Sequence, residues 1–208
     1  DSLGSESPRI IDASTAHRVA PGWTYGFPEL TKGHAEAVAA SKRVTNPGCY
    51  PTGAIALIRP LVEAGLMPAD YPVTVNAVSG YSGGGKSMIQ AYEAGTAPSF
   101  ELYGLALTHK HVPELQKYSG LTRRPIFVPS VGNFRQGMLI SVPLHLDTLP
   151  GNPCPKDLEL ALDKHYQGQK LVSVLKEPVA TQPRIEAEAL NGTDQLELYV
   201  YGSSALNQ

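Results

Sequence analysis

The sequence predicts an α+β fold in which helices cover a mixed, largely antiparallel sheet. Apolar runs that read as strands follow one another along the chain, and helical segments are inserted irregularly rather than after every strand. Such an order favours antiparallel pairing over a strictly alternating parallel sheet. Strands are predicted at residues 10–12, 73–78, 102–108, 125–128, 138–146, 171–175 and 196–201, and helices at residues 33–42, 53–59, 87–94, 112–117 and 157–166.

Each element of the first part of the chain has a local reason. Residues 10–12 contain two isoleucines and are expected to form a lone buried strand without a hairpin partner. Residues 33–42 are rich in alanine, which favours a helix. The helix at residues 53–59 follows Pro51, a residue that suits the first turn of a helix. Pro60 is expected to kink this helix or end it early.

The second part of the chain follows the same logic. The strand at residues 73–78 leads into a glycine-rich loop and a short helix. Pro113 lies in the first turn of the next helix. The strand at residues 138–146 alternates only in part, which predicts one polar or subunit-facing side. Residues 157–166 carry their apolar side chains mostly at helical spacing, which predicts a helix with one buried face.

Composition excludes several classes of function. The chain has 208 residues, of which 42% are hydrophobic and 17% charged, with a formal net charge of -2. This balance predicts a globular protein with no basic face for nucleic acid or an anionic membrane. The presence of only two cysteines favours a reduced, cytoplasmic setting. No apolar stretch approaches the roughly 18 residues of a membrane span. The polar residues 1–7 lack a signal-peptide pattern.

Cys49 is the strongest candidate for a nucleophile. It follows Pro-Gly at the start of an apolar helix, where backbone N–H groups and the helix dipole favour a thiolate and predict a low pKa. A cysteine is, however, often only a small buried apolar residue. Cys154 lies between two prolines in a loop and has no such setting. The two cysteines do not form a disulfide framework.

His109 and His111 form the most notable pair of imidazoles. They lie at the junction of a strand and a helix, two residues apart, so they share a face if the strand continues. They could therefore assist a thiol or bind a metal, or one could simply cap the helix. Because no further Cys, His or carboxylate accompanies them at ligand spacing, no metal site is predicted.

Residues 80–87 (GYSGGGKS) fit the phosphate-binding loop pattern G-x-x-x-x-G-K-[ST], and a strand precedes them. The pattern raises the alternative of a nucleotide-binding module. Only residues 140–147 resemble the acidic strand that such a module needs, and Pro143 interrupts them. We interpret the match as accidental.

A family resemblance gives the candidate residues a common setting. Residues 46–53 (NPGCYPTG) resemble the active-site motif of N-acetyl-γ-glutamyl-phosphate reductases, which use NADPH in arginine biosynthesis. Further blocks resemble that family in the same order: residues 12–18 (DASTAHR), 25–30 (YGFPEL), 78–86 (VSGYSGGGK), 109–114 (HKHVPE) and 131–137 (VGNFRQG). The resemblance implies a domain like the C-terminal domain of glyceraldehyde-3-phosphate dehydrogenase, with homo-oligomers formed through its sheet.

The resemblance also implies a mechanism. Cys49 would attack the acyl phosphate of N-acetyl-L-glutamyl 5-phosphate, and reduction of the thioester would give N-acetyl-L-glutamate 5-semialdehyde. His109 would be the acid/base residue, and His111 would support it. Substrate would be bound by Arg135, Ser79, Gly80 and Lys86, with Ser14 and Arg18 on the cofactor side. Arg135 could instead be a solvated surface residue.

The sequence departs from the family in its domain content. No G-x-G-x-x-G fingerprint for a dinucleotide is present. We therefore expect residues 1–45 to be a remnant of the NADP-binding domain and linker, and residues 46–208 to be the catalytic and dimerisation domain. NADP(H) would then bind mainly to a domain absent from this chain. A reductase of the aspartate-semialdehyde dehydrogenase type remains an alternative.

Overall fold

The computed structural model describes residues 8–176 and 182–208. Residues 1–7, on which the expected lack of a signal peptide rests, lie outside this part. The strands described are β1 (Ile10–Asp12), β2 (Thr24–Tyr25), β3 (Arg43–Thr45), β4 (Thr74–Gly80), β5 (Phe100–Leu102), β6 (Ile126–Gly132), β7 (Met138–Ser141), β8 (Val172–Val174) and β9 (Leu196–Leu198). The helices are α1 (His34–Ala40), α2 (Cys49–Glu63), α3 (Lys86–Glu93), α4 (Val112–Ser119) and α5 (Pro155–Tyr166).

A four-stranded mixed sheet forms the centre, in the order β5-β6-β4-β7. β4 and β6 pair in parallel from Thr74–Ile126 to Gly80–Gly132, while β7 pairs antiparallel with β4 and β5 antiparallel with β6. Two of the three pairings are therefore antiparallel, which confirms the predicted α+β class. The smaller sheets, β1-β3-β2 and β8-β9, are parallel.

Helix α2 covers one face of the central sheet and contributes more residues to the core than any other helix or strand described. Its residues are apolar around much of the circumference, as expected for a helix buried on several sides. Ile55 and Ile58 are fully buried in the same cluster as Val75 of β4 and Phe127 of β6. This packing fixes the start of α2, at Cys49, close to the ends of β4 and β6.

The opposite face of the central sheet is open. Phe100, Leu102 and Ile126 are 55%, 51% and 48% exposed, and their neighbours on this face, Asn76 and Ser141, are exposed polar residues. The strand register places these side chains on one surface, because residues two apart on a strand share a face. On β7 this face carries half-buried Leu139 and exposed Ser141, so it is polar only in part, and a subunit-facing role stays a prediction.

Three details differ from the sequence prediction. Pro60 does not end α2, which runs to Glu63 and stops before Gly65, whose φ is 71°. Proline removes one amide donor, and the packing of α2 holds the helix despite this loss. β1 has a partner in β3, and it is not buried, since Ile11 is 77% exposed.

The strand predicted at residues 102–108 is wrong except for Leu102, since β5 lies earlier, and β7 is shorter than predicted. β5 ends at Leu102, and in the turn that follows Gly104 and Leu107 adopt positive φ values of 63° and 58°. β7 ends at Ser141, just before Pro143, which has no amide to continue a ladder. In the part of the chain that the structure describes, no helix is long and apolar enough to cross a membrane.

Candidate active site

Cys49 is the first residue of α2, and part of its surface is open to solvent. Gly48 before it is extended, with φ −68° and ψ 146°, so the chain turns into the helix at the cysteine. The backbone amides of Cys49 and Tyr50 favour the thiolate and so act to lower the pKa of the thiol. The predicted position of Cys49 at a helix start is therefore confirmed.

The predicted low pKa of Cys49 is wrong in direction. Burial by the surrounding protein raises the pKa of the thiol, and nearby Glu114 adds to this rise. The two backbone N–H groups and Arg18 act in the opposite direction but do not outweigh burial. In the free protein the thiol is therefore held in its neutral form, and it needs a base.

Glu114 organises the residues behind Cys49. It is 1% exposed, and its carboxylate accepts hydrogen bonds from Arg18 at 2.7 Å, the Tyr25 hydroxyl at 2.8 Å and the Gly48 amide at 2.9 Å. A buried charge is tolerated only with such partners. Glu114 thus fixes the residue that precedes the thiol. The sequence did not reveal it, because an acid in the first turn of a helix is ordinary.

Arg18 contacts Glu114, and each of its three guanidinium nitrogens donates a hydrogen bond. It is 8% exposed and donates to the backbone oxygens of Asn46 at 3.0 Å and Ala13 at 3.4 Å, in addition to Glu114. Its predicted place near the site fits this geometry. Ser14 is exposed, and its hydroxyl donates to Asp12 at 2.6 Å.

His109 and His111 lie together beside the start of α2. Their ring centroids are 4.6 Å apart, and the His111 amide donates to His109 Nδ1 at 3.2 Å. Burial lowers the pKa of both imidazoles, with a further contribution from Lys110, and the pKa of His111 falls to about 3. Both rings are therefore neutral near pH 7. His111 is 6% exposed, and its Nδ1 has no hydrogen-bond partner.

Gly48 shows how closely these groups approach the thiol-bearing turn. A Cβ atom on Gly48 would lie 2.5 Å from Glu114 Oε1, 2.8 Å from Arg18 Nη1 and 2.9 Å from His111 Cδ2. Real Cβ atoms do not make contacts this short. The glycine therefore allows a carboxylate, a guanidinium and an imidazole to converge on the residue before Cys49.

The glycine-rich loop is held against the turn at residues 134–137. The amides of Gly80, Tyr81 and Ser82 donate to Gly137, Phe134 and Arg135 at 3.0, 3.0 and 2.9 Å. A Cβ on Gly80 would lie 2.6 Å from the Arg135 carbonyl. Gly80 therefore allows the loop to pack closely against residues 134–137, in addition to any approach of the backbone to a substrate.

The predicted substrate-binding side chains differ in their exposure and in whether they already have a partner. Lys86, the first residue of α3, is exposed. Arg135 is also exposed and pairs with Glu93 at 3.2 Å. Ser79 is 7% exposed and hydrogen-bonded to the Tyr50 hydroxyl at 2.8 Å.

Helix α3 follows the glycine loop directly, so this requirement of a phosphate-binding loop is met by the fold. Local geometry alone does not reject that alternative. Across residues 8–176 and 182–208, no group of three or more His, Cys, Asp or Glu side chains could hold a metal ion.

Comparison with known proteins identifies the family. The model of the semialdehyde dehydrogenase dimerisation domain matches residues 49–208, from the candidate nucleophile to the last residue. This chain belongs to the semialdehyde dehydrogenase family. The glycine loop lies inside the matched region, which argues against an unrelated nucleotide-binding module.

The curated relatives confirm the resemblance seen in the sequence. Proteins named N-acetyl-gamma-glutamyl-phosphate reductase from Brucella suis and Brucella ovis are each 56% identical to this chain over 206 residues. Each match covers 96% of this chain and 66% of the relative, so the chain spans just under two thirds of these proteins' length.

Solved structures confirm the fold. Aspartate semialdehyde dehydrogenase II from Vibrio cholerae has a TM-score of 0.64 at 13% identity, and the match covers 92% of this chain and 61% of that one. Aspartate semialdehyde dehydrogenase from Candida albicans, solved with NADP, has a TM-score of 0.56 at 14% identity, covering 86% and 57%. At these identities the likeness concerns the fold alone.

Proposed function

We propose that this chain carries the acyl-transfer site of an N-acetyl-γ-glutamyl-phosphate reductase. The observation that carries the proposal is the convergence at Gly48–Cys49 of an imidazole pair and a buried Arg18–Glu114 ion pair. The substrate, N-acetyl-L-glutamyl 5-phosphate, follows from relatives that are 56% identical and bear that name.

In the proposed reaction, the Cys49 sulfur gives up its proton to a base and attacks the acyl carbon. The C–O bond to phosphate breaks, and inorganic phosphate leaves with its electron pair, so that a thioester remains on Cys49. A hydride and a proton convert the thioester to a thiohemiacetal. Its C–S bond then breaks, which releases N-acetyl-L-glutamate 5-semialdehyde and returns the thiol.

His109 is the proposed proton shuttle, with His111 in support. A ring whose pKa is lowered is neutral at pH 7, so it can accept the thiol proton. Because Nδ1 of His109 accepts the His111 amide, the neutral ring carries its hydrogen on Nε2 and can also donate to the substrate. The unpartnered Nδ1 of buried His111 makes that ring the second candidate for the base.

NADPH supplies the hydride when it is bound. Each Arg18 nitrogen already donates within the protein and the Ser14 hydroxyl donates to Asp12, so these two residues by themselves do not form a nucleotide site. We propose that residues 1–45 border the cofactor and that most of its site belongs to a domain outside this chain, while residues 46–208 form the catalytic and dimerisation domain.

We assign substrate-binding roles to the predicted residues according to how exposed their side chains are. Lys86 is exposed at the end of the glycine loop, where a cation can attract the substrate phosphate. Arg135 can bind a carboxylate or phosphate only if it exchanges its exposed partner Glu93 for the substrate. Gly80 and Ser79 hold the loop and the strand before it, and we assign them to positioning rather than to direct contact.

The open face of the central sheet is the proposed surface for a second copy of this chain. The family model that matches is a dimerisation domain, and the face carries exposed Phe100, Leu102 and Ile126. Placing a charge there with Ile126→Glu should convert a dimer into a monomer in sedimentation experiments. An unchanged mass would assign the contact to another surface.

The proposed reaction is tested by phosphate release from two acyl phosphates. N-acetylglutamyl phosphate should release about one equivalent of phosphate per Cys49 in a burst, and aspartyl phosphate much less. The reverse preference would favour the aspartate-semialdehyde alternative. The 208 residues alone should not oxidise NADPH, and turnover with NADPH would show that we have misplaced the cofactor site. Saturable binding of ATP would favour the nucleotide-binding alternative.

A further inference from the structure

Tyr50, the residue after Cys49, is bonded to the sheet by its hydroxyl. The side chain is 2% exposed, and the hydroxyl donates to the Ser130 carbonyl of β6 at 2.9 Å. Ser79 at the end of β4 lies 2.8 Å away, and the Tyr103 hydroxyl donates to Tyr50 at 3.1 Å. The first turn of α2 is thus attached to two strands and to the segment that leads to the histidines.

The hydrogens of this cluster can be assigned. Tyr50 has one hydroxyl hydrogen, and Ser130 accepts it. The Ser79 and Tyr103 hydroxyls must then donate to the Tyr50 oxygen, whose two lone pairs they occupy. The Tyr50 oxygen is fully satisfied, and no hydrogen of the cluster remains for a substrate.

The same residue links the candidate catalytic groups. It follows Cys49 directly in the first turn of α2, and its ring lies edge-on to His111 with centroids 5.9 Å apart. Its hydrogen-bond partner Tyr103 lies edge-on to His109 at 5.8 Å. A movement of the Tyr50 side chain would therefore disturb the turn that carries the thiol and a contact of each imidazole.

We propose that Tyr50 is a positioning residue, whose hydroxyl anchors the first turn of α2 and fixes the Cys49 thiol relative to the histidines. For its effect on acylation the inference rests on the proposed function. Its effect on the thiol does not, because any electrophile reports it. Burial raises the pKa of Tyr50, so the hydroxyl keeps its hydrogen near neutral pH.

The chain offers a control tyrosine that is bonded to the same helix. Tyr166 of α5 is 4% exposed, and its hydroxyl donates to the Ala56 carbonyl of α2 at 2.9 Å. Tyr50→Phe and Tyr166→Phe each remove one buried hydroxyl that donates to a carbonyl at 2.9 Å and keep the ring. Both variants should lower the melting temperature, Tyr50→Phe by more because its hydroxyl also accepts two hydrogen bonds, and only Tyr50→Phe should alter Cys49.

The first measurement is the rate of Cys49 alkylation by iodoacetamide as a function of pH, read by peptide mass. Tyr50→Phe should shift the midpoint upward and slow alkylation at pH 7 by about two- to tenfold, the equivalent of one hydrogen bond. Tyr166→Phe should match the unchanged chain. Equal profiles for both variants would overturn the proposal.

The second measurement is the phosphate burst with N-acetylglutamyl phosphate. Tyr50→Phe should lower the maximal burst rate by about tenfold and leave the half-saturating concentration nearly unchanged, as expected when a reacting group is misplaced. Absence of a burst in the unchanged chain would refute the proposed function, and alkylation would still decide the role of Tyr50.

A second variant covers the case in which Tyr50→Phe does not fold. Tyr103→Phe removes one of the three bonds from a half-buried position. It should shift the alkylation midpoint in the same direction by a smaller amount. A profile identical to that of the unchanged chain would overturn the proposal.

Discussion

The start of α2 and the glycine-rich loop both carry candidate site residues, yet they are stabilised in opposite ways. At the start of α2, Arg18 and Glu114 form an ion pair with side chains 10% and 1% exposed. Beside the loop, Arg135 and Glu93 form an ion pair with side chains 64% and 51% exposed. The first pair also receives hydrogen bonds from Tyr25 and Gly48.

The difference indicates that the start of α2 and the glycine-rich loop have different roles. Side chains around Cys49 are fixed by the fold before any ligand arrives, so changes there should lower the rate of the chemical step. Lys86 and Arg135 are exposed, so they should affect the binding of substrate. Preorganised groups act on the transition state, while mobile surface cations act mainly on the encounter and on binding.

Among the buried residues around Cys49, the histidines should have the largest effect on the rate of acylation when they are changed. His109→Asn should lower the rate of acylation by roughly two to four orders of magnitude, the usual contribution of a general acid or base. His111→Asn should cost less. Because the pKa of His109 is lowered, the rate should be constant near neutral pH and fall as pH drops through that lowered value.

The phosphate burst measured at several pH values checks this prediction. A larger loss for His111→Asn than for His109→Asn would assign the base to His111, whose Nδ1 is unpartnered. Equal and mild losses would remove both from the mechanism.

Gly48→Ala should have the next largest effect. Its Cβ would force Glu114, Arg18 or His111 to move, and a displacement of about 1 Å at an active site costs about a hundredfold in rate. Gly53→Ala is the matched control on the same helix, because its Cβ meets only the end of the flexible Ile140 side chain at 2.6 Å. The control should retain acylation, and a Gly48→Ala protein with normal acylation would show that the convergence is not needed.

The two ion pairs can be compared directly by stability. Glu114→Gln leaves Arg18 buried without its counter-charge, and the free energy of unfolding should fall by about 3–5 kcal/mol. Glu93→Gln should cost less than about 1 kcal/mol, as is usual for an exposed pair. Urea unfolding followed by circular dichroism measures both. Similar small losses would mean that the Arg18–Glu114 pair does not stabilise the site.

Several of these features were predictable from the sequence, and others were not. Pro-Gly before Cys49 and the apolar run after it identified the helix start, and the spacing of His109 and His111 identified the pair. The direction of the Cys49 pKa was not predictable, because the helix start was evident locally whereas burial arises from distant segments.

Glu114 shows why long-range contacts are hard to infer from one sequence. Its partners Tyr25 and Gly48 lie 89 and 66 residues away, and nothing near Glu114 distinguishes it from an ordinary first-turn acid. Pro60 shows the reverse case, since the early end that it could have caused does not occur in the packed helix α2. For both Glu114 and Pro60, contacts in the protein interior rather than the neighbouring sequence determine the local structure.

Changes of the exposed residues near the glycine-rich loop should have smaller effects. Lys86→Ala should raise the half-saturating concentration of the acyl phosphate several-fold and leave the maximal burst rate nearly unchanged. The lost attraction is that of one solvated cation, worth about 1 kcal/mol. Lys32→Ala, an exposed lysine before α1, is the control and should change neither value. A fall in the maximal rate for Lys86→Ala would place this lysine in the chemical step.

Mass spectrometry of the chain after brief incubation with N-acetylglutamyl phosphate tests most directly whether Cys49 is the acylated nucleophile. We predict one N-acetylglutamyl group on the peptide that contains Cys49, removable by hydroxylamine as a thioester is, with one equivalent of phosphate released. Cys49→Ala should abolish the adduct, and Cys154→Ser should retain it. An adduct on Cys154, or release of phosphate that leaves Cys49 unmodified, would contradict the account.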